Sequence, residues 1–247
     1  MRIRFEFDIP TETSLPYHYT YALMSYFYHV IRLTDPSLGD WLHQEGIAFE
    51  GRKYKPFVFS PLLFSRCKKT PDKMTVQGKM TWKVDSIHPP IMQALYHGVN
   101  TISHLKLFEH SFPLKSIHIE ERPTFQHTMN YRCLGPVVVP ISKNGKLVFC
   151  HPLESDFYDQ IRASLQRWAK LKWGTDYSDP SPIRIRLLAP RRFRLEQAAH
   201  LTEIKGKKLK GYKMPLQIEA SIRIHEVAVE AGIGSYTNQG FGMLEPI

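Results

Sequence analysis

Ile222-Arg-Ile-His-Glu-Val-Ala-Val-Glu-Ala231, continued by Gly232-Ile-Gly234-Ser-Tyr-Thr-Asn-Gln-Gly240-Phe-Gly242-Met-Leu244, reads as a helix, a glycine-rich loop and a closing strand. Over 222–231, Ile224, Val227, Ala228 and Ala231 share one face, while Arg223, Glu226 and Glu230 fall on the other. Gly232 is then the glycine that ends the helix. That accounts for one glycine and leaves Gly234, Gly240 and Gly242. Gly-x-Gly pairs permit positive φ and close backbone approach, and successive amides in such turns form nests for anionic oxygen. The spacing is neither a dinucleotide fingerprint nor a Walker loop, since no Gly-Lys-Ser/Thr follows. A phosphate-facing or RNA-facing loop is the reading the remaining glycines favour.

Moving back along the chain, the run Tyr212–Ala220 carries Met214, Leu216 and Ile218 on alternate positions and predicts one strand. Pro215 on its polar side argues against a central, fully paired position. Ile183, Ile185 and Leu187 alternate with Arg184 and Arg186. A helix is predicted over about 154–172, with Phe157, Ile161, Leu165 and Trp168 in register. Val137-Val-Val-Pro-Ile141 and Leu147-Val-Phe149 flank Asn144-Gly145, a hairpin turn by composition. From the Val137 strand onward, the second half therefore reads β-α-β-β-α-β.

The first half repeats the order without sequence repetition. Ile3, Phe5 and Phe7 alternate with Arg2, Arg4, Glu6 and Asp8, a half-buried strand over 2–8. After Pro10 and Pro16 the period becomes helical: Leu23, Phe27, Val30 and Ile31 form the buried stripe, and Tyr21, Ser25, Tyr28 and Arg32 look outward. Asp35-Pro36 opens a short helix carrying Leu38, Trp41 and Leu42, ended by His43 and Gly46. A turn through Gly51–Pro56 leads into Phe57-Val-Phe59. Residues 74–82 alternate, a helix is predicted over about 90–102, and strand-like residues run from Leu105 to Ile119. Each half is a ferredoxin-like unit, the topology of RNA-recognition domains. The expected class is α+β, two tandem ferredoxin-like (RRM-like) βαββαβ domains over 1–122 and 123–247, meeting near Arg122-Pro123.

The 247 residues carry a formal charge of +10 with 43% hydrophobic content and a pI of about 9.5, an ordinary globular composition with a polyanion partner implied. Between Arg191 and Lys213 stand eight cations, Arg191, Arg192, Arg194, Lys205, Lys207, Lys208, Lys210 and Lys213, against Glu196 and Glu203. Two basic clusters flanking an apolar-poor connection favour phosphate contact over a merely solvated loop. Cys67, Cys133 and Cys150 form no Cys-x-x-Cys, and Val229 stands where a zincin needs its second histidine after His225-Glu226. No metal or cofactor site is expected. No apolar run is long enough for a bilayer, and the charged N-terminus is unlike a signal peptide; a cytoplasmic location without membrane contact is the expectation.

The order of these features resembles the CRISPR-associated endoribonucleases of the Cas-six type, which cut precursor CRISPR RNA within its repeats. The resemblance is carried by Gly-Ile-Gly-(x5)-Gly-Phe-Gly-Met at the C-terminus, by Leu188-Ala-Pro-Arg-Arg-Phe-Arg194, and by Asp35-Pro36, Leu42-His43 and Lys55-Pro-Phe-Val-Phe-Ser60. It implies metal-independent cleavage by the ribose 2′-hydroxyl, leaving a 2′,3′-cyclic phosphate and a 5′-hydroxyl. Carried over, the site is Tyr28, His43 and Lys55, with Gly232, Gly234, Gly240, Gly242 and the basic segment on the RNA. An insertion around Ile47–Tyr54 brings Arg52 and Lys53 close, so Lys53 competes with Lys55 for the lysine role, and His29 is the reserve for His43. The catalytic residues are expected to face the glycine loop across a cleft. CRISPR repeat RNA is the implied partner; further subunits of a CRISPR effector complex and a homodimer stay open. Two other readings also stay open: a non-catalytic RNA-binding subunit, and an enzyme of another class acting on nucleotides or through a metal.

Overall fold

The computed structural model describes residues 1–204 and 206–247; Lys205 of the basic segment lies outside the described residues. The chain folds as two compact units, Met1–Arg122 and Pro123–Ile247.

The first unit runs β1 (Arg2–Pro16), α1 (Thr20–Thr34), α2 (Pro36–Gln44), β2 (Ile47–Phe49), β3 (Arg52–Tyr54), β4 (Phe57–Phe59), β5 (Leu63–Lys69), β6 (Lys73–Ser86), α3 (Pro89–Ile102), β7 (His104–Leu107) and β8 (His110–Glu120). Its sheet has the order β4-β6-β1-β8-β7, with β5 also pairing β6, which is the ferredoxin-like order with one added edge strand. Ile3, Phe5 and Phe7 are fully buried, as their alternation predicts. Phe5 lies 5.6 Å from Trp82 and Phe27 stacks 4.1 Å from Phe57, so α1 is fixed to the sheet by aromatic packing.

Several elements differ from their prediction. β1 runs to Pro16 rather than stopping at Asp8, with its register broken between Ile9 and Thr13; Pro10 falls in that break and Pro16 at the end, where no ladder N–H is needed. The strand-like run 105–119 is two paired strands, β7 and β8, turned at Phe108 with φ 55°. β5 was not anticipated, because Ser65–Lys69 is exposed on both faces and has no buried stripe to read.

The second unit runs β9 (Thr128–Cys133), β10 (Pro140–Lys143), β11 (Lys146–Phe149), α4 (Ser155–Trp173), β12 (Arg184–Leu187), a 3-10 turn Pro190–Arg192, α5 (Leu195–Ala198), β13 (Ala199–Ile204), β14 (Lys207–Tyr212), β15 (Pro215–Glu219), α6 (Ile222–Glu230), a 3-10 turn Thr237–Gln239 and β16 (Leu244–Pro246). The sheet order β12-β15-β9-β16 is again ferredoxin-like.

Its first strand is β9, not the Val137–Ile141 run. Tyr131 and Cys133 point inward while Asn130 and Arg132 point out, a pattern too short and polar to stand out. Val137–Val139 is buried but forms no strand of the sheet; its pairing is by isolated bridges, Val137 to Tyr212 and Val138 to Ser235. β10 and β11 pair through Asn144-Gly145, both with positive φ (53° and 74°), the signature of a type I′ turn. The predicted strand over 212–220 is split: Tyr212 ends β14, and β15 starts at Pro215. β15 is interior despite that proline, which occupies its first position. The basic segment is not an apolar-poor connection but a paired β13/β14 hairpin with Ile204 and Leu209 buried. Glu230, assigned to the polar face of α6, is buried and held 2.7 Å from Lys172.

Candidate active site

Tyr28 and His43 are brought together by a helical hairpin. Asp35 closes α1 through its N–H to the Ile31 carbonyl (2.8 Å) and caps α2 by accepting from the Leu38 N–H (2.9 Å), with Pro36 in the first turn. The chain therefore reverses in one residue and α2 lies antiparallel against α1. Gly39 makes this approach feasible: a Cβ there would sit 2.7 Å from the Arg32 Cα. One turn further along each helix, four residues on, Tyr28 meets His43. Their ring centroids are 5.5 Å apart, edge to face at 86°. Tyr28 is half-buried and also packs edge-on against Phe57 at 5.9 Å, while His43 is exposed.

The insertion at Ile47–Tyr54 is the β2/β3 hairpin. It returns the chain to the C-terminus of α2, where the Tyr54 carbonyl passes through the space a Cβ on Gly46 would occupy. Lys55 Nζ donates to the His43 carbonyl (2.9 Å) and Lys53 Nζ to the Gln44 carbonyl (3.3 Å). Both cations thus sit on the negative end of the helix dipole. Arg52 is exposed on the alternate face of β3 from Lys53. The Lys55 pKa is lowered by partial burial and by the Lys53 charge, with Glu45 acting in the opposite direction. Pro56 is held from behind by a short hydrogen bond from the buried Ser86 hydroxyl to its carbonyl. His29 is exposed on α1, and the helix turns it about 100° away from the Tyr28 direction.

Sequence reading missed Gly39, Glu45 and Ser86. Only Gly39 left a visible signal, as a glycine inside a nine-residue helix. Among the described residues, no three His, Cys, Asp or Glu side chains converge as a metal-ligand group.

In the second unit, Gly232, Gly234, Gly240 and Gly242 all have positive φ. Gly232 follows the end of α6 as read from the sequence. Gly242 is the most constrained: a Cβ would lie 2.0 Å from the Ile233 carbonyl oxygen. Five amides of the segment donate inside the fold: Ile233 to Gly242, Ser235 to Val138 and Gly242 to Pro136 (2.8–2.9 Å), and, within the 3-10 turn, Gln239 to Tyr236 (2.8 Å) and Gly240 to Thr237 (3.4 Å). Phe241 packs with Val138, Ile204 and Leu209, which seats the β13/β14 hairpin on the glycine segment. Lys207, Lys208, Lys210 and Lys213 are exposed along and just after that hairpin. Arg191, Arg192 and Arg194 are exposed before it, Arg194 donating to the Arg191 carbonyl at 3.3 Å.

Two ferredoxin-like units in tandem, one carrying a tyrosine–histidine–lysine group and the other a glycine-rich segment beside a basic hairpin, define the class. Residues 14–118 match the family described as CRISPR-associated protein Cas6, N-terminal, and residues 119–246 match CRISPR associated protein Cas6, C-terminal. The chain belongs to the Cas6 family. It is 23% identical over 234 residues to the CRISPR-associated endoribonuclease Cas6 of Pyrococcus furiosus, covering 94% of this chain and 83% of that protein. Among solved structures, a Cas6-related protein from Pyrococcus furiosus superposes with a TM-score of 0.84 at 20% identity, covering 100% of this chain and 98% of the other. A protein described as a RAMP protein binding different RNA substrates gives 0.82 at 21% identity, covering 100% and 99%. No helix among the described residues is long and apolar enough to cross a membrane.

Proposed function

We propose that this chain is a metal-independent endoribonuclease that cuts precursor CRISPR RNA within its repeats, using Tyr28, His43 and Lys55. The observation that carries the reading is the convergence of these three side chains around the C-terminus of α2: the Tyr28 ring on His43 and the Lys55 ammonium on the His43 carbonyl. The family membership and the RNA-cleaving Pyrococcus relative support the substrate class.

In this mechanism the exposed His43 imidazole takes the 2′-hydroxyl proton as general base. The 2′-oxygen bonds to the adjacent phosphorus, the bond to the 5′-oxygen breaks with its electron pair going to that oxygen, and the departing oxygen takes a proton from water, so that a 2′,3′-cyclic phosphate and a 5′-hydroxyl result. Lys55 stabilises the charge that grows on the phosphate oxygens. Tyr28 holds the imidazole edge-on and directs it. Between the two lysines, Lys55 is assigned the phosphate and Lys53 the role of its charged neighbour. The glycine segment and the basic residues from Arg191 to Lys213 are assigned to the RNA backbone.

Single-turnover cleavage of a repeat RNA at saturating protein tests the assignment, with filter binding alongside. His43→Ala is expected to cut roughly 10²–10⁴-fold more slowly with affinity retained, because His43 moves a proton and does not anchor phosphate. Wild-type cleavage by that variant would remove His43 from the site and move the role to His29.

A further inference from the structure

The outer face of the first unit's sheet is electrostatically divided. At one end its charges are paired off: Arg4 with Glu6 (2.6 Å) and Glu120 (3.5 Å), Lys83 with Glu120 (2.7 Å), and Lys115 with Asp8 (3.3 Å). The other end is the β5/β6 ribbon, where residues 65–79 hold five cations and a single carboxylate, Asp72. Register and alternation place four of those cations on the outer face. Arg66 stands beside Gln77 and Lys68 beside Thr75, while Lys73 and Lys79 alternate with the buried Met74, Val76 and Met80. All four are exposed; the carboxylate opposite Lys79 in register is Asp8, and it is paired with Lys115 at 3.3 Å. The fifth, Lys69, is in register with Met74 and therefore belongs to the opposite face.

The ribbon is held in place. Tyr17 Oη donates to the Thr70 carbonyl at the hairpin tip (2.6 Å), and Ser65 Oγ bridges the bulge to the Lys79 N–H (2.8 Å). A fixed row of exposed cations, interspersed with Thr75, Gln77 and Thr81, is a surface for a phosphodiester backbone. Charge on an edge strand also discourages strand-to-strand association, which accounts for Arg66 and Lys68. It does not account for Lys73 and Lys79, which stand on β6, a strand paired on both sides.

We propose that Arg66, Lys68, Lys73 and Lys79 form a second phosphate-binding surface, one that holds the RNA strand at a distance from the cut. The inference rests on the RNA-cleaving reading above and adds a site to it. Lys55 precedes β4, which pairs with β6 at Ser86. At about 3.3 Å per residue, Lys79 lies roughly 23 Å and Lys73 roughly 43 Å along β6 from that point. Only an RNA extending well beyond the scissile phosphate reaches the ribbon.

The experiment measures affinity against salt concentration for two RNAs, a full repeat and one trimmed to the nucleotides flanking the cut. The variants are Arg66→Gln with Lys68→Gln, Lys73→Gln with Lys79→Gln, and Lys69→Gln. On the full repeat each double variant should lower the salt slope by about 0.7 per cation removed. On the trimmed RNA neither should change it, and its cleavage rate should stay at the wild-type value. Lys69→Gln should leave both slopes unchanged. An unchanged slope on the full repeat overturns the proposal, as does an equal drop for Lys69→Gln or for the trimmed RNA, either of which marks a bulk charge effect. The two pairs stand on different strands, so loss of fold in one, read by thermal melting, leaves the other as the test. Failure of the catalytic reading shows separately, as unmodified protein that binds the full repeat and does not cut it.

Discussion

Lys53 and Lys55 occupy successive carbonyls at one helix end, and only Lys55 is partly buried. Because the Lys53 charge helps lower the Lys55 pKa, Lys53→Ala should raise it. The alkaline limb of the pH–rate profile should then move to higher pH, which single-turnover rates across pH will show. A limb that stays in place would disconnect the two lysines. A second residue-scale prediction concerns Asp85, fully buried and bound by Arg122 at both carboxylate oxygens (2.6 and 2.9 Å) and by Arg2 at 3.2 Å. Burial opposes its ionisation, but Arg2, then Arg122 and the N-terminus outweigh it, so its carboxyl is held below the usual range. The stability it contributes is present above the unfolded-state pKa near ~4 and is lost as pH falls through the lower folded value. Asp85→Ala removes the buried carboxylate that Arg2 and Arg122 both bind and should cost about 3–5 kcal/mol in denaturant unfolding at neutral pH. None of this was legible in the sequence. Asp85 is one acidic residue on an alternating strand, and His43 is one of 12 histidines, singled out by family resemblance and not by local chemistry.

Elements were legible where one face is buried and the other wet. The aromatic alternation of β1 and the stripes of α1, α3 and α4 stand where their periods placed them. β5 and β9 were not legible, the first because it is exposed on both faces and the second because its two inward residues are a tyrosine and a cysteine. The α1–α2 hairpin lies between these cases. Both helices were readable, but their antiparallel contact depends on Gly39 having no side chain. Gly39→Val should push α2 away from Arg32, cost about 1–3 kcal/mol and slow cleavage by separating His43 from Tyr28. A thermal melt and single-turnover rates on the same protein check both effects. Retained cleavage with lowered stability would show that the ring contact is dispensable. In the second unit, Gly242→Ala should destabilise the segment that carries Phe241, since φ 65° and the Ile233 carbonyl both exclude a Cβ.

At the scale of the whole molecule, the ferredoxin-like class of both units follows from strand and helix periods, although the first strand of the second sheet is β9 and not the Val137–Ile141 run. Asn144-Gly145 announces the β10/β11 hairpin, whereas nothing announces the inserted hairpins β2/β3 and β13/β14. They add basic or exposed surface to a fold already complete without them, so no core pattern announces them. Much of the charge of +10 is carried by two surfaces, the inserted β13/β14 hairpin and the β5/β6 ribbon of the first sheet. Replacing Lys207, Lys208 and Lys210 with alanine should weaken repeat RNA binding and flatten its salt dependence by about 0.7 for each phosphate no longer neutralised. The central claim, cleavage by Tyr28, His43 and Lys55 without a metal, is tested most directly by incubating the protein with end-labelled repeat RNA in excess chelator and analysing the product ends. Cutting is expected at the rate seen without chelator, leaving a 2′,3′-cyclic phosphate and a 5′-hydroxyl. Uncut RNA that is cleaved only once magnesium is added in excess, with a 3′-hydroxyl and a 5′-phosphate at the break, would contradict that claim.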